Sequence, residues 1–196
     1  MEPDLHNYQK QFPKYPPPVK HEETGWIHGV WMIGQNFASK HGYYGEYPAS
    51  FLKRVHALFL RAENVLHLFS GIVEKGWWQK GLWGREVTFD INTQLQPDIA
   101  GDAHHLSQYF DKDQFDLIVA DPPYSDEDAK HYGTSMVSRN QVVQQCYPIL
   151  QSGGIICWLD QVYPMHRKDT VQLIGTIGIW RSTNHRFRGL NIFRKL

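Results

Sequence analysis

Apolar residues along this chain recur in short runs with longer, helically spaced stretches between them. Val65-Leu66-His67-Leu68-Phe69, Phe115-Asp116-Leu117-Ile118-Val119-Ala120 and Ile155-Ile156-Cys157-Trp158-Leu159 are brief and sharply bounded, as buried strands are. Glu86 to Asp90 adds another strand, and Ile99-Ala100-Gly101-Asp102 a short strand or turn. Val171 to Trp180 and Arg186 to Arg194 predict two closing strands with a short connector, hence an antiparallel hairpin at one sheet edge. Pro48 to Phe59 predicts a helix, because Pro48 suits a first turn and Phe51, Leu52, Val55, Leu58 and Phe59 share one face. Gln141 to Leu150 predicts a second helix, stopped by Ser152-Gly153-Gly154. Residues 26–37 are apolar but broken by glycine, and read as strand or turn.

Strands alternating with helices imply an α/β fold: a mostly parallel sheet of seven strands, helices on both faces, and the hairpin at its end. Residues 1–22, with Phe12-Pro13-Lys14-Tyr15-Pro16-Pro17-Pro18, favour an extended Pro-rich arm. Residues 23–196 then form one domain, with no repeat and no internal boundary.

Composition narrows the function only modestly. The chain has 196 residues, 41% hydrophobic and 20% charged, enough for a real core. No apolar stretch approaches the ~20 residues that span a bilayer, so no membrane partner is expected. Cys146 and Cys157 are too few for a disulfide framework or a cysteine zinc site, which points to the cytoplasm. His104 and His105 are adjacent and diverge on any regular element, so no metal is expected. A formal net charge of zero argues against gripping long duplex DNA by charge alone. Lys53-Arg54, Arg61 and the Arg181–Arg188 segment are the local basic clusters.

The candidate chemistry sits at strand ends, where ligands bind in doubly wound sheets. Asp121-Pro122-Pro123-Tyr124 follows an apolar strand. The Asp121 carboxylate and the Pro122 carbonyl are acceptors for an amino group, and the two prolines remove competing backbone donors. Tyr124 offers a flat face for a base. Ser70-Gly71, Asp90 and Asp102 end the other strands: a close-approach turn, an acceptor for ribose hydroxyls and an acceptor for an adenine amine. Each of these acids alone also suits a turn or a helix cap. Ser125 to Asn140, with Asp126, Glu127, Asp128, Lys130, His131, Tyr132 and Arg139, reads equally as a substrate cover or a solvated loop.

Together these motifs resemble the DNA amino-methyltransferases, which form N6-methyladenine or N4-methylcytosine from S-adenosylmethionine. Tyr47-Pro48-Ala49-Ser50-Phe51 resembles the family's N-terminal cofactor motif, Leu66-His67-Leu68-Phe69-Ser70-Gly71 its cofactor loop, and Asp121-Pro122-Pro123-Tyr124 its catalytic motif. Asn184-His185-Arg186-Phe187 to Phe193-Arg194-Lys195 resembles its last strand, and the likeness covers roughly residues 43–196. His67 stands where the family's loop carries an acid.

The resemblance implies a Rossmann-like methyltransferase sheet with S-adenosylmethionine as cofactor. It implies cofactor contacts from Tyr47, Pro48 and Phe51, from His67, Phe69, Ser70 and Gly71, from Asp90 and Ile91, from Gly101, Asp102 and Ala103, and from Asp121. Asp121, Pro122, Pro123 and Tyr124 would carry catalysis on adenine in DNA, or on an RNA base. A cofactor-poor fold serving as a binding subunit is the remaining alternative. Only about thirty residues separate Tyr124 from the next strand, which leaves no room for a separate target-recognition domain. Specificity is then low, supplied by a protein partner or a homodimer, or unnecessary on a single-stranded, free-base or RNA substrate.

Overall fold

The computed structural model describes residues 1–34, 47–48, 50–73, 82–181 and 187–196. Ala49, residues 35–37, His185 and Arg186 lie outside the described residues. The elements in chain order are α1 (Leu5–Gln11), β1 (Val19–Lys20), β2 (Ile27–Ile33), α2 (Phe51–Leu58), β3 (Asn64–Leu68), β4 (Arg85–Asp90) and β5 (Ile99–Ala100). There follow β6 (Phe115–Ala120), α3 (Asp126–His131), α4 (Arg139–Ile149), β7 (Leu150–Asp160), β8 (Val171–Arg181) and β9 (Phe187–Lys195).

Among the described residues nine strands form one sheet, in the order β1-β2-β8-β9-β7-β6-β3-β4-β5. The run β7-β6-β3-β4-β5 is parallel throughout. β9 runs antiparallel to both β7 and β8. All seven expected strands are present, but two more precede them. β2 pairs in parallel with β8, and β1 caps β2. The β8–β9 hairpin is therefore interior to the sheet and not at its edge. The reason is visible in β2: Ile27, Trp31 and Ile33 are buried on one face while His28, Val30 and Met32 stay exposed. That is an alternating strand whose period Gly29 disguised.

The β6 strand shows how the sheet is covered on both sides. Leu117 and Val119 join a core with Phe51, Val55 and Leu58 of α2. Ile118 and Ala120 point the other way, to Val142, Val143, Cys146 and Ile149 of α4. A one-residue alternation thus feeds two cores, as a parallel strand buried on both faces must.

The first 22 residues are not simply extended. Leu5–Gln11 is helical, capped by Asp4, whose carboxylate accepts the Asn7 N–H at 2.8 Å. Tyr8 is fully buried, stacked on Trp31 at 5.7 Å between ring centres. Arg54 of α2 donates to the Tyr8 hydroxyl at 2.7 Å. Its guanidinium also lies over the rings of Tyr15 (4.5 Å) and Phe12 (5.1 Å). Aromatic packing around a buried cation overrides the polyproline preference of the segment. No helix among the described residues is long and apolar enough to cross a membrane.

Candidate active site

The parallel strands point their carboxyl ends the same way, and this end collects the acids. β6 ends at Ala120, so Asp121 begins the turn directly above it, its N–H reaching the Leu68 carbonyl of β3 at 3.4 Å. Pro122 and Pro123 are buried, which anchors the turn. The Tyr124 hydroxyl donates to Asp121 Oδ1. One carboxylate oxygen is therefore held by the tyrosine, and with about four lone-pair sites on a carboxylate, capacity to accept from a ligand remains.

Three charges, Arg188, Asp160 and Arg181, act on this pair. Burial pushes the Asp121 carboxyl up to about 6, with Arg188 and the Tyr124 hydroxyl pulling it back, Asp160 raising it and Arg181 lowering it. Burial also lifts the Tyr124 phenol well above its ordinary value, and the Asp121 charge adds to that. Tyr124 thus stays a donor. Arg188 of β9 lies over the Tyr124 ring, its guanidinium carbon 4.3 Å from the ring centre. Burial works against that cation, but the Tyr124 and Asp121 oxygens outweigh burial and hold it more firmly charged than usual.

Asp160 sits one strand over, at the end of β7, and is buried. It accepts from Arg139 Nε at 2.7 Å, Trp158 Nε1 at 3.1 Å, and the N–H groups of Gln161 (2.7 Å) and Val162 (3.1 Å). Arg139, at the start of α4, also donates to the Tyr124 carbonyl at 3.2 Å. The turn is thereby tied to two neighbouring elements. Sequence reasoning missed Asp160, although the rule that found Asp121 applies to it: an acid ending an apolar run. It also left Ser125–Asn140 irregular, where Ser125 caps α3 by accepting the Asp128 N–H at 3.1 Å. The Ser-x-x-Asp spacing carried that signal.

The neighbouring strand ends carry a second set of polar groups. After β3, Phe69 takes φ 60° and Gly71 φ 56°. Left-handed backbone is costly for a side chain such as phenylalanine, and such strain collects at functional turns. The Gly71 N–H donates to Asp90 Oδ2 at 2.9 Å, and the Asn92 N–H to Oδ1 at 2.9 Å. Burial raises the Asp90 carboxyl despite those N–H groups. A carboxylate has about four lone-pair sites, so acceptor capacity remains. Ser70 Oγ is buried and lacks a hydrogen-bond partner. Ile91, beside Asp90, is exposed. An orphan hydroxyl, an under-used carboxylate and an exposed apolar residue together fit a nucleoside-bearing ligand.

Other predicted residues are placed differently. Tyr47 is buried, stacked on Phe51 at 5.3 Å, with its hydroxyl donating to the Val119 carbonyl at 3.4 Å. Burial raises its phenol, and the Asp121 and Asp90 charges reach it, so it lies beneath both acids. Pro48 accepts the Phe51 N–H at 3.0 Å and is buried. His67 does not open to the strand ends: it is fully buried, Nε2 3.0 Å from Glu86, beside Trp83 and Tyr47. Asp102 caps a 3-10 turn, Oδ1 accepting the His104 N–H at 2.9 Å and facing the His104 ring at 2.7 Å. Burial raises that carboxyl slightly, but the His104 contacts outweigh it and hold it below the usual range. Gly101 is a packing position, where a Cβ would meet Tyr109 Cζ at 2.5 Å and Phe89 Cζ at 2.8 Å. Ala103 is buried beside them.

No protein-family profile and no curated protein matches the chain. Solved structures do. TrmN from Thermus thermophilus superposes with a TM-score of 0.50 at 15% identity, over 68% of this chain and 44% of TrmN. This chain therefore spans less than half the length of that protein. The N-methyltransferase NodS from Bradyrhizobium japonicum superposes with a TM-score of 0.47 at 14% identity, over 68% of this chain and 86% of NodS. The architecture shared with TrmN is a Rossmann-like α/β fold with a largely parallel sheet and an antiparallel hairpin. Identities this low establish the fold and nothing finer.

Proposed function

We propose that this chain transfers a methyl group from S-adenosylmethionine to an exocyclic amino group of a nucleic-acid base, with N6 of adenine in DNA as the substrate. The observation that carries the reading is the Asp121-Pro122-Pro123-Tyr124 turn at the carboxyl end of β6, with one Asp121 oxygen held by the Tyr124 hydroxyl.

Ser70, Gly71, Asp90 and Ile91 are the residues suited to hold the cofactor, on the evidence of the orphan Ser70 Oγ and the spare acceptor capacity of Asp90. When bound, S-adenosylmethionine supplies an electrophilic methyl group on a sulfonium. The chain's own residues contribute positioning and electrostatics. The free Asp121 oxygen and the Pro122 carbonyl accept the two amino hydrogens, which directs the nitrogen lone pair away from them. Tyr124 holds the carboxylate in place and lines the base. As the nitrogen gains its methyl group it becomes acidic, and its proton passes toward Asp121. A carboxyl whose pKa is raised is the better acceptor for that proton.

The test is calorimetric titration with S-adenosylmethionine and its demethylated product, followed by transfer of labelled methyl to DNA and RNA in parallel. Binding, with transfer to DNA adenine that Asp121→Ala abolishes while sparing the cofactor, is the expected result. An Asp121→Ala chain that still transfers refutes the mechanism. Transfer to RNA alone moves the substrate class.

A further inference from the structure

Arg188 is an uncommon residue for the middle of a sheet. It is 7% exposed, on an interior strand. Its Nε is buried without a hydrogen-bond partner. A desolvated guanidinium is expensive to keep, so the fold must compensate it. The compensation comes from the site: the Tyr124 ring face at 4.3 Å, and the carboxylates of Asp121 and Asp128. The geometry forms a chain of constraint. The guanidinium covers one ring face, and the hydroxyl of that ring holds Asp121.

We propose that Arg188 is a positioning residue for the reaction of Asp121: it clamps one face of Tyr124, reserves the opposite face for the planar substrate, and keeps Asp121 an anion able to accept the amino hydrogens. The substrate half of this rests on the methyl-transfer reading; the clamp and the counter-charge do not. Among the described residues, the groups facing Asp121 are Tyr124 from its own turn, Arg188 from β9, Arg181 from β8, Asp160 from β7 with Arg139 paired to it, and the Tyr47 phenol from below. Arg188 exerts the larger lowering influence of the two arginines acting on Asp121.

The experiment compares wild type with Arg188→Met and Arg188→Gln, which remove the charge, and Arg188→Lys, which keeps charge without a planar stack. Two readouts are taken: the pH midpoint of the Asp121 carboxyl by carbon-13 NMR on the cofactor-free chain, and the pH profile of methyl transfer. In both neutral variants the carboxyl midpoint is expected to rise by about one pH unit. The acid limb of the transfer profile should move with it. Arg188→Lys is expected to keep the wild-type midpoint while KM for the base substrate rises several-fold. If either neutral variant fails to fold, the other decides. An unmoved midpoint in a folded neutral variant overturns the proposal. A wild-type chain that transfers to no nucleic acid rejects the functional reading, and the carboxyl titration then decides the role of Arg188 alone.

Discussion

Replacing Asp121 with asparagine should make this protein more stable at neutral pH while removing its activity. The carboxyl is raised from 3.8 to about 6, with burial as the leading cause. The folded state therefore holds the Asp121 proton more tightly than the unfolded chain does. The penalty for ionising it in place is absent below the unfolded value. It grows as pH rises and is complete above about 6. At about 1.36 kcal/mol per pH unit of pKa difference, the full penalty is about 3 kcal/mol. Between about pH 4 and pH 7.5, about 2–3 kcal/mol of it should develop. Asparagine cannot ionise, and its carbonyl can still accept from the Tyr124 hydroxyl. The assay is urea denaturation of wild type and Asp121→Asn across that range, read as the difference between them so that all other titrations cancel. The variant's advantage should climb with pH and level off above neutrality. A difference that stays flat with pH, or that falls, refutes the claim that Asp121 is a desolvated anion.

Asp160→Ala removes the acceptor of Arg139, the Trp158 indole and two backbone N–H groups; loss of about 3–5 kcal/mol by denaturation is expected, together with slower transfer as the Tyr124 carbonyl loses its tether. His67→Leu removes the imidazole partner of the Glu86 carboxylate, which keeps the Trp83 N–H, and should cost about 1–3 kcal/mol, with unchanged S-adenosylmethionine affinity by calorimetry; a selective loss of affinity would return His67 to the cofactor. Arg54→Ala opens the aromatic box of Phe12, Tyr15 and Trp31, and limited proteolysis should then release the first residues at a concentration of protease that leaves wild type intact. Cys146 and Cys157 are fully buried and burial pushes both thiols up, so a disulfide reagent at mildly alkaline pH should react with them only as fast as the chain unfolds.

Local pattern was enough for much of this molecule. Short, largely apolar runs placed β3, β6 and the heart of β7, because a strand buried on both faces has few polar positions to confuse the reading. The positions of Asp90 at the end of β4 and Asp121 directly after β6 were legible in the same way, at the carboxyl ends of strands where ligands bind in doubly wound sheets. The α/β architecture with its mostly parallel sheet followed from the order of these elements.

What the sequence could not settle is what depends on partners distant along the chain. Whether His67 meets a ligand or Glu86 turns on which strand lies beside β3, and that is decided by sheet order. The same holds for the N-terminal segment, whose helix is stable because Tyr8 finds Trp31 and Arg54. Residues 1–22 carry too little periodicity to predict that docking. Asp102 could be a ligand or a cap by sequence, and the fold gave it His104. Above all, Arg188 lies 64 residues beyond Tyr124 by their numbers, yet stacks on its ring. Only the insertion of antiparallel β9 between β7 and β8 brings that guanidinium to the turn. Electrostatic tuning is a property of three-dimensional neighbours, and no spacing in the chain encodes it.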